Sequence, residues 1–237
     1  MDPQLQLLID LQALDTRIAA LEAEGVRLPK QIQAIQEGLS DARKLVEGLK
    51  ARLETTKKDI RFKEKDLDVS SAKRSKAETR LYEVKTNKEY SAVLAEIEEI
   101  KQEKARLEEE ILALMETQER LASDVREADA QLKAREREGA QEEATVREQL
   151  RAVESELEVV RAERRSLAAQ VPAALLASYE KILKARGGLA MAQALPAPIC
   201  AGCRMSIRPQ AMQEIRAQSQ LITCESCGRY LYWPDPA

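Results

Sequence analysis

Apolar residues recur at alternating intervals of three and four through the first third of the chain, from Leu7 to Leu67. This spacing is the heptad pattern of a coiled-coil seam, in which two positions of every seven face a partner helix. One position carries Leu7, Leu14, Leu21, Leu28, Ile35, Ala42 and Leu49, and the other carries Leu11, Ile18, Ile32, Leu39, Val46, Leu53, Ile60 and Leu67. The pattern predicts a first long helix over about residues 4–83.

A second seam runs from Tyr90 to Leu132 and resumes, one residue out of phase, from Val146 to Leu167. It predicts a second helix over about residues 87–170, nearly equal in length to the first. Two helices of equal length joined by a short connection can close into an antiparallel hairpin.

Each seam has one weak point. Gly25 occupies a core position of the first seam and Pro29 follows within a turn, so we expect a local kink there rather than a chain reversal. The second seam weakens over the polar stretch 135–143, which contains Gly139. We expect these two regions to face each other and to form a joint in the paired helices.

The break between the seams falls near residues 84–88. Thr86 and Glu89 have the spacing of a capping box, which predicts the start of the second helix. The tip of the hairpin is therefore expected at Thr86, Asn87, Lys88 and Glu89.

Charge supports the fold-back. Residues 57–88 hold eleven Lys or Arg against six Asp or Glu, whereas residues 89–110 hold three against eight. Opposite charges on the two sides of the turn favour antiparallel pairing over a parallel dimer, in which like segments would meet. The alternative is that both charge runs are simply solvated helix faces.

The C-terminal third has a different organisation. Pro172 ends the second helix and opens a short amphipathic helix over 173–186, which Gly187 and Gly188 terminate. A strand over 189–195, a helix over 209–217 and a final strand over 229–233 follow. We expect a mainly α protein with two domains, a coiled-coil hairpin over 1–170 and a small β-rich metal-binding ribbon over 171–237.

Composition agrees with long charged helices, because 33% of the 237 residues are charged and only 3% are aromatic. The net charge of -3 argues against a protein that binds nucleic acid over its whole surface through phosphates. The N-terminal residues lack the pattern of a signal peptide and no apolar run could span a membrane, so a cytoplasmic protein is expected.

The residues that carry chemistry are two CxxC pairs, Cys200 with Cys203 and Cys224 with Cys227. The chain contains no His, so four thiolates would form a closed tetrahedral site for one structural Zn²⁺. A redox dithiol and an iron-only site are the alternatives, although nothing like a thioredoxin βαβ unit surrounds either pair.

These features resemble the bacterial family of four-cysteine zinc-ribbon proteins with an N-terminal coiled-coil hairpin, once grouped as a domain of unknown function. The matching segments are Asn87-Lys88-Glu89-Tyr90, Tyr179, Arg186-Gly187-Gly188-Leu189-Ala190, Cys200-Ala-Gly-Cys203-Arg204-Met205 and Cys224-Glu-Ser-Cys227-Gly228-Arg229. The resemblance implies an adaptor or regulatory protein without enzyme activity. It also implies links to flagellar and type III secretion systems, sigma-factor partners or RNA.

Three kinds of function remain open. The ribbon could bind RNA or DNA or a protein partner through six residues, which are Arg204, Arg208, Arg216, Arg229, Tyr232 and Trp233. The alternative for these residues is that the arginines are solvated and the aromatic side chains form the ribbon's own core. The hairpin tip could instead bind RNA polymerase as a transcription regulator, or the seam could act as a coiled-coil scaffold. An enzyme with a small-molecule substrate is not expected, because the chain shows no nucleophile with a paired base and no phosphate loop.

Overall fold

The computed structural model describes residues 2–234, which form two compact units. One unit spans Ala34–Glu142, and the other combines the residues up to Gln33 with those from Glu143 onward. Both units contain parts of two long helices, α1 (Pro3–Leu81) and α2 (Asn87–Ala168). The two predicted long helices are thus confirmed, and α1 continues without interruption through Pro29. No helix within residues 2–234 has the length and apolar character needed to cross a membrane.

In the unit Ala34–Glu142, α1 and α2 pair as an antiparallel coiled coil. Buried apolar side chains from both helices form its core, among them Val46, Ile60, Ala77, Val93, Ile97, Ile100, Ile111, Leu121 and Val125. Ion pairs join the helices at the surface through Arg43–Glu136, Lys50–Asp129, Lys63–Glu110 and Arg80–Glu96. As the residue number of the α1 member rises from one ion pair to the next, that of the α2 member falls. This order confirms the antiparallel pairing. Such exposed pairs contribute about 0–1 kcal/mol each, so they help to specify the register more than they add stability.

The predicted joint is wrong in its register. Gly139 is buried against α1, and a Cβ atom at this position would lie 3.2 Å from Leu39 and 3.3 Å from Ile35. The stretch around Gly139 therefore faces residues 35–39 and not 25–29. The reason is that the turn at residues 82–86 and the ion pair Arg43–Glu136 fix which residues stand opposite one another.

The second unit adds the C-terminal elements to the beginning of α1 and the end of α2. Helix α3 (Ala173–Ala185) follows Pro172 and ends before Gly187 and Gly188, whose φ angles of 65° and 86° suit glycine. Helix α4 (Pro209–Ala217) begins with its proline at a position where no amide donor is needed. Both helices lie where the sequence predicts them.

Three short strands form one sheet in the order β1-β3-β2. Strand β1 (Met191–Gln193) pairs in parallel with β3 (Tyr230–Tyr232), and β2 (Ile222–Thr223) pairs antiparallel with β3. The sequence predicts longer strands, over 189–195 and 229–233, and gives no sign of β2. The long helices and this small sheet make the chain a mainly α hairpin with a β-rich C-terminal ribbon, as expected.

Two hydrophobic clusters fill the second unit. The first joins Leu5, Leu8 and Leu11 of α1 to residues of α2, α3, β1, β3 and the connections between them, namely Ala168, Val171, Tyr179, Ala190, Met191 and Tyr230. The second lies around the cysteines and contains Ala192, Ala194, Ile207, Met212, Ile215 and Leu231. The beginning of α1 thus packs directly onto the C-terminal segment.

Candidate metal centre

The four cysteines lie on two turns with the same backbone pattern, which we call knuckles, Cys200–Cys203 and Cys224–Cys227. In the first knuckle, the Arg204 amide donates to the Cys200 carbonyl at 2.7 Å and the Cys200 amide donates to the Met205 carbonyl at 2.9 Å. In the second, Gly228 and Arg229 make the equivalent bonds with Cys224, both at 2.7 Å. Each knuckle therefore holds its first cysteine through two backbone hydrogen bonds and points two sulfur atoms to one side.

The four sulfur atoms converge on one point. All lie within 4.8 Å of one another, and two pairs join the knuckles, with Cys203 Sγ to Cys224 Sγ at 3.7 Å and Cys200 Sγ to Cys227 Sγ at 4.0 Å. A tetrahedral zinc site with Zn–S bonds of about 2.3 Å has its sulfur atoms about 3.8 Å apart. The donor set fits one Zn²⁺, and four protein ligands leave no coordination position for water or substrate.

Burial affects the protonation of three of the thiols, and at one of them hydrogen bonds outweigh it. It raises the pKa of the Cys200 thiol to about 12 and also raises the pKa of Cys224. Burial acts in the same direction on Cys227, but hydrogen bonds from the backbone and side chain of Arg229 outweigh it and bring its pKa down to about 7. Zinc binds thiolates, so metal binding must release protons from this centre.

Two arginines fasten the second knuckle to the turn that follows α3. Arg186 Nε donates to the Cys227 carbonyl at 2.8 Å, while Arg229 Nε donates to the Leu189 carbonyl at 2.8 Å. The Arg229 side chain also lies against Gly202 in the first knuckle, where an added Cβ atom would come within 2.7 Å of its Cδ. Arg229, predicted as a binding residue, thus lies among backbone carbonyls between the two knuckles.

The other predicted residues of the ribbon occupy different surroundings. Arg204 is exposed, and Arg208 forms an exposed ion pair with Glu225. The Arg216 guanidinium lies 4.8 Å from the centre of the Trp233 ring. Tyr232 and Trp233 are partly buried, Tyr232 against the first hydrophobic cluster and Trp233 against the second.

At the hairpin tip, Thr86 and Glu89 form the predicted capping box. Glu89 N–H donates to Thr86 Oγ1 at 3.2 Å, and Thr86 N–H donates to Glu89 Oε2 at 3.2 Å. The Thr86 hydroxyl also donates to Glu89 Oε2 at 2.8 Å and, with the backbone bond, lowers the pKa of that carboxyl. Asn87 and Lys88 are exposed beside this cap.

Gln12 has a structural role that the sequence does not predict. Its Oε1 accepts hydrogen bonds from the amides of Ala190 at 2.6 Å and Met191 at 3.0 Å, and its Nε2 donates to the Gly188 carbonyl at 2.9 Å. The Gln12 side chain therefore satisfies the hydrogen-bonding groups of the backbone at the start of β1. No local sequence signal marks Gln12, because it stands between seam positions in an ordinary helix.

A partly buried polar network lies near Gln12. The Tyr179 hydroxyl donates to Asp15 Oδ2 at 2.8 Å, and Arg164 Nε donates to Asp15 Oδ1 at 2.7 Å. Burial, reinforced by the Asp15 charge, strongly raises the pKa of Tyr179. The network ties α1, α2 and α3 together beside the first hydrophobic cluster.

A groove of about 310 Å³ lies between α4 and β2 on the ribbon. Apolar side chains of Ile207, Ala211, Leu221, Ile222 and Leu231 line it, together with Cys224 and the charged residues Arg208, Glu214 and Glu225. Because Cys224 belongs to the metal centre, the shape of this groove depends on the knuckle.

Two family models together match nearly the whole chain. The model of the CT398-like coiled coil hairpin domain matches residues 11–187, and that of the C4-type zinc ribbon domain matches residues 199–231. Both agree with the family resemblance of the sequence. No match was found among curated proteins.

Solved structures share the architecture. CT398 from Chlamydia trachomatis is 26% identical, with 98% of each chain covered and a TM-score of 0.84. A protein from Mycobacterium smegmatis is 21% identical with a TM-score of 0.70, covering 98% of this chain and 97% of its own. HP0958 from Helicobacter pylori is 19% identical with a TM-score of 0.63, covering 100% of this chain and 99% of its own. The last two comparisons concern the fold alone.

Proposed function

Because the chain belongs to the CT398-like coiled-coil hairpin family and carries a C4-type zinc ribbon, we propose that it is a non-enzymatic adaptor that binds a protein partner through the ribbon. The zinc ion is structural in this proposal. Its four sulfur ligands leave no position at which a substrate could be activated, whereas catalytic zinc sites keep one open.

The observation that carries this proposal is the groove between α4 and β2. Its surface is mostly polar, with a few apolar side chains and the exposed charged residues Arg208 and Glu225, and protein-binding surfaces combine such groups for affinity and orientation. Strand β2 also lies at the edge of the described sheet and pairs there only with β3. An extended partner segment can add to such an edge and place a side chain in the adjacent groove.

Nucleic acid is the second candidate ligand, supported by the exposed Arg204 and by Arg216 beside Trp233. It ranks second because the Arg229 side chain is engaged by backbone carbonyls within the ribbon. From Val171 to the end, the chain has seven Lys or Arg against four acids, and four thiolates with one Zn²⁺ reduce this excess to about +1. The phosphate-binding charge is therefore small.

The class of partner follows from the family resemblance, and we propose a sigma factor or a component of a flagellar or type III secretion system. An RNA polymerase-binding regulator that acts through the tip and a coiled-coil scaffold are the alternatives. At the tip, Thr86 and Glu89 are used as a helix cap, which gives the tip a structural purpose without a partner.

The test is capture of partners by five forms of the full chain. They are the intact zinc-loaded protein, Cys200→Ser/Cys203→Ser, Arg208→Glu at the groove, Arg216→Glu beside Trp233, and Lys184→Glu, which makes the same charge change at an exposed position of α3. Zinc content, bound proteins and bound nucleic acid are measured for each.

We expect the intact protein and Lys184→Glu to hold one zinc and the same partner. Arg208→Glu should keep the zinc and lose the partner, and the double serine variant should lose both. Partners that persist without zinc would overturn the proposal in favour of the hairpin. Nucleic acid that is retained by Arg208→Glu and lost by Arg216→Glu would favour the second candidate.

A further inference from the structure

A trough of about 580 Å³ lies between α1 and α2 within the unit Ala34–Glu142, close to the turn. Its wall on α1 is formed by Lys73, Lys76 and Arg80, and its wall on α2 by Glu96, Glu99 and Glu103. The buried residues Ala77 and Ile100 lie at its floor. The trough therefore has one basic wall and one acidic wall.

Most of these charges have no salt-bridge partner among residues 2–234. Arg80 pairs with Glu96. Lys73, Lys76, Glu99 and Glu103 are exposed and form no salt bridge with any residue in the described range 2–234. Two rows of opposite charge thus stand side by side and open to solvent.

This arrangement selects among occupants. Nucleic acid or an acidic peptide would meet the basic wall favourably and be repelled by the acidic wall, and a basic peptide would have the converse problem. A second copy of this chain satisfies both walls. A two-fold axis parallel to the helices places the α1 wall of each copy against the α2 wall of the other, so the complementary contact occurs twice.

Apolar residues continue the same row of α1. Phe62, Val69 and Lys76 follow one another at seven-residue intervals and therefore lie in line on the helix. Phe62, which is the only Phe in the chain, is 65% exposed, and Val69 is 55% exposed. An apolar extension beside a charged trough is the composition expected of a surface that a partner covers.

We propose that two copies of this chain associate through the trough, with Lys73 and Lys76 of each copy facing Glu99 and Glu103 of the other. The association is independent of the zinc ribbon and of the adaptor function proposed above.

Sedimentation velocity of the full zinc-loaded protein tests the proposal, since it does not confuse an elongated monomer with a dimer. We expect a dimer whose dissociation constant rises with ionic strength, because exposed ion pairs are screened by salt. Lys73→Glu/Lys76→Glu and Glu99→Lys/Glu103→Lys should each raise that constant by about tenfold or more, through repulsion between like walls.

Two mixing experiments separate association from misfolding. An equimolar mixture of the two double variants should form a mixed dimer, since each basic wall again meets an acidic one. The variant with all four reversals keeps complementary walls within each molecule, so it should associate with itself but not with the unaltered chain.

Arg126→Glu/Lys133→Glu is the matched control, because it makes the same charge change at exposed positions of α2 outside the trough, and its mass should stay that of a dimer. A monomer at all concentrations would overturn the proposal, as expected if the two walls neutralise each other within one molecule. A dimer that none of the reversals weakens, or a mixture of the double variants that stays monomeric, would overturn it equally.

Discussion

Arg204 and Gly228 occupy equivalent positions in the two knuckles, four residues after the first cysteine of each pair. Both have left-handed backbones, with φ of 60° at Arg204 and 76° at Gly228. Glycine adopts this conformation without strain, whereas other residues incur about 1–2 kcal/mol. The first knuckle is therefore strained at a position where the second is not.

This difference predicts opposite effects of two substitutions. Gly228→Ala should destabilise the ribbon by about 1 kcal/mol, and Arg204→Gly should stabilise it by up to about 1 kcal/mol. Thermal unfolding of the zinc-loaded protein, with zinc content as control, measures both. If Arg204→Gly destabilised the ribbon as much as Gly228→Ala does, backbone strain at Arg204 would not be the governing effect.

Ionisation of Tyr179 should lower the stability of the second unit at alkaline pH. Burial raises its pKa in the folded state above the ordinary value of about 10, so the unfolded chain loses this proton first as pH rises. The contribution of Tyr179 to the free energy of unfolding is complete below about pH 10. Above that pH it falls by about 1.4 kcal/mol per pH unit, until the pKa of Tyr179 in the folded state is reached.

Tyr179→Phe should therefore be less stable than the unaltered protein at pH 8, because the hydrogen bond to Asp15 is lost. The gap should narrow between pH 10 and pH 11. Denaturant unfolding across this range gives the difference, in which the titration of other groups cancels. A gap that stays constant with pH would contradict the assigned role of Tyr179.

Among the elements, the start of α2 depends on the capping box. Thr86→Ala should destabilise the helix end by about 0.5–2 kcal/mol, because the Glu89 amide loses its acceptor. Amide hydrogen exchange in the first turn of α2 measures this loss. Ser91→Ala is the control, since the Ser91 hydroxyl donates to the Asn87 carbonyl within the turn and caps nothing. Equal effects of the two substitutions would argue against the cap.

The ribbon as an element is predicted from its cysteines better than from its strands. CxxC spacing and Gly228 indicate two knuckles because the constraint is local, acting over four or five residues. Strand β2 has only two residues and was not anticipated, since so short a segment carries no alternation of apolar and polar positions. It forms because β3 offers it backbone partners once the knuckle after β2 is in place.

At the scale of the whole molecule, removal of zinc should separate the stability of the ribbon from that of the paired helices. A ribbon of this size buries too little apolar surface to fold alone, whereas the coiled coil has its own core. Chelation should leave most helical circular dichroism intact and abolish exchange protection in β1, β2 and β3.

The same experiment has a second readout at the beginning of α1. Leu5, Leu8 and Leu11 share a hydrophobic cluster with Met191 and Tyr230, so their amides should exchange faster after chelation while the unit Ala34–Glu142 keeps its protection. Cys200→Ser/Cys203→Ser in the presence of zinc should reproduce this pattern. Loss of protection throughout Ala34–Glu142 would show that zinc stabilises more than the ribbon.

The sequence by itself determined the two long helices, the cap at Thr86 and Glu89, the antiparallel sense of the pairing and the four metal-binding cysteines. Each of these rests on a pattern repeated or completed within a few residues, where helix geometry or ligand spacing leaves little choice. The boundary between the two predicted domains at residue 170 remains a prediction.

Only the tertiary structure decided which distant residues meet. It placed Gly139 against Ile35 and Leu39, brought Gln12 to the start of β1, and joined Asp15 to Tyr179. It also aligned the basic and acidic walls of the trough. The physical reason is that contacts between remote segments depend on register and on the packing of several elements at once, and a single sequence displays neither.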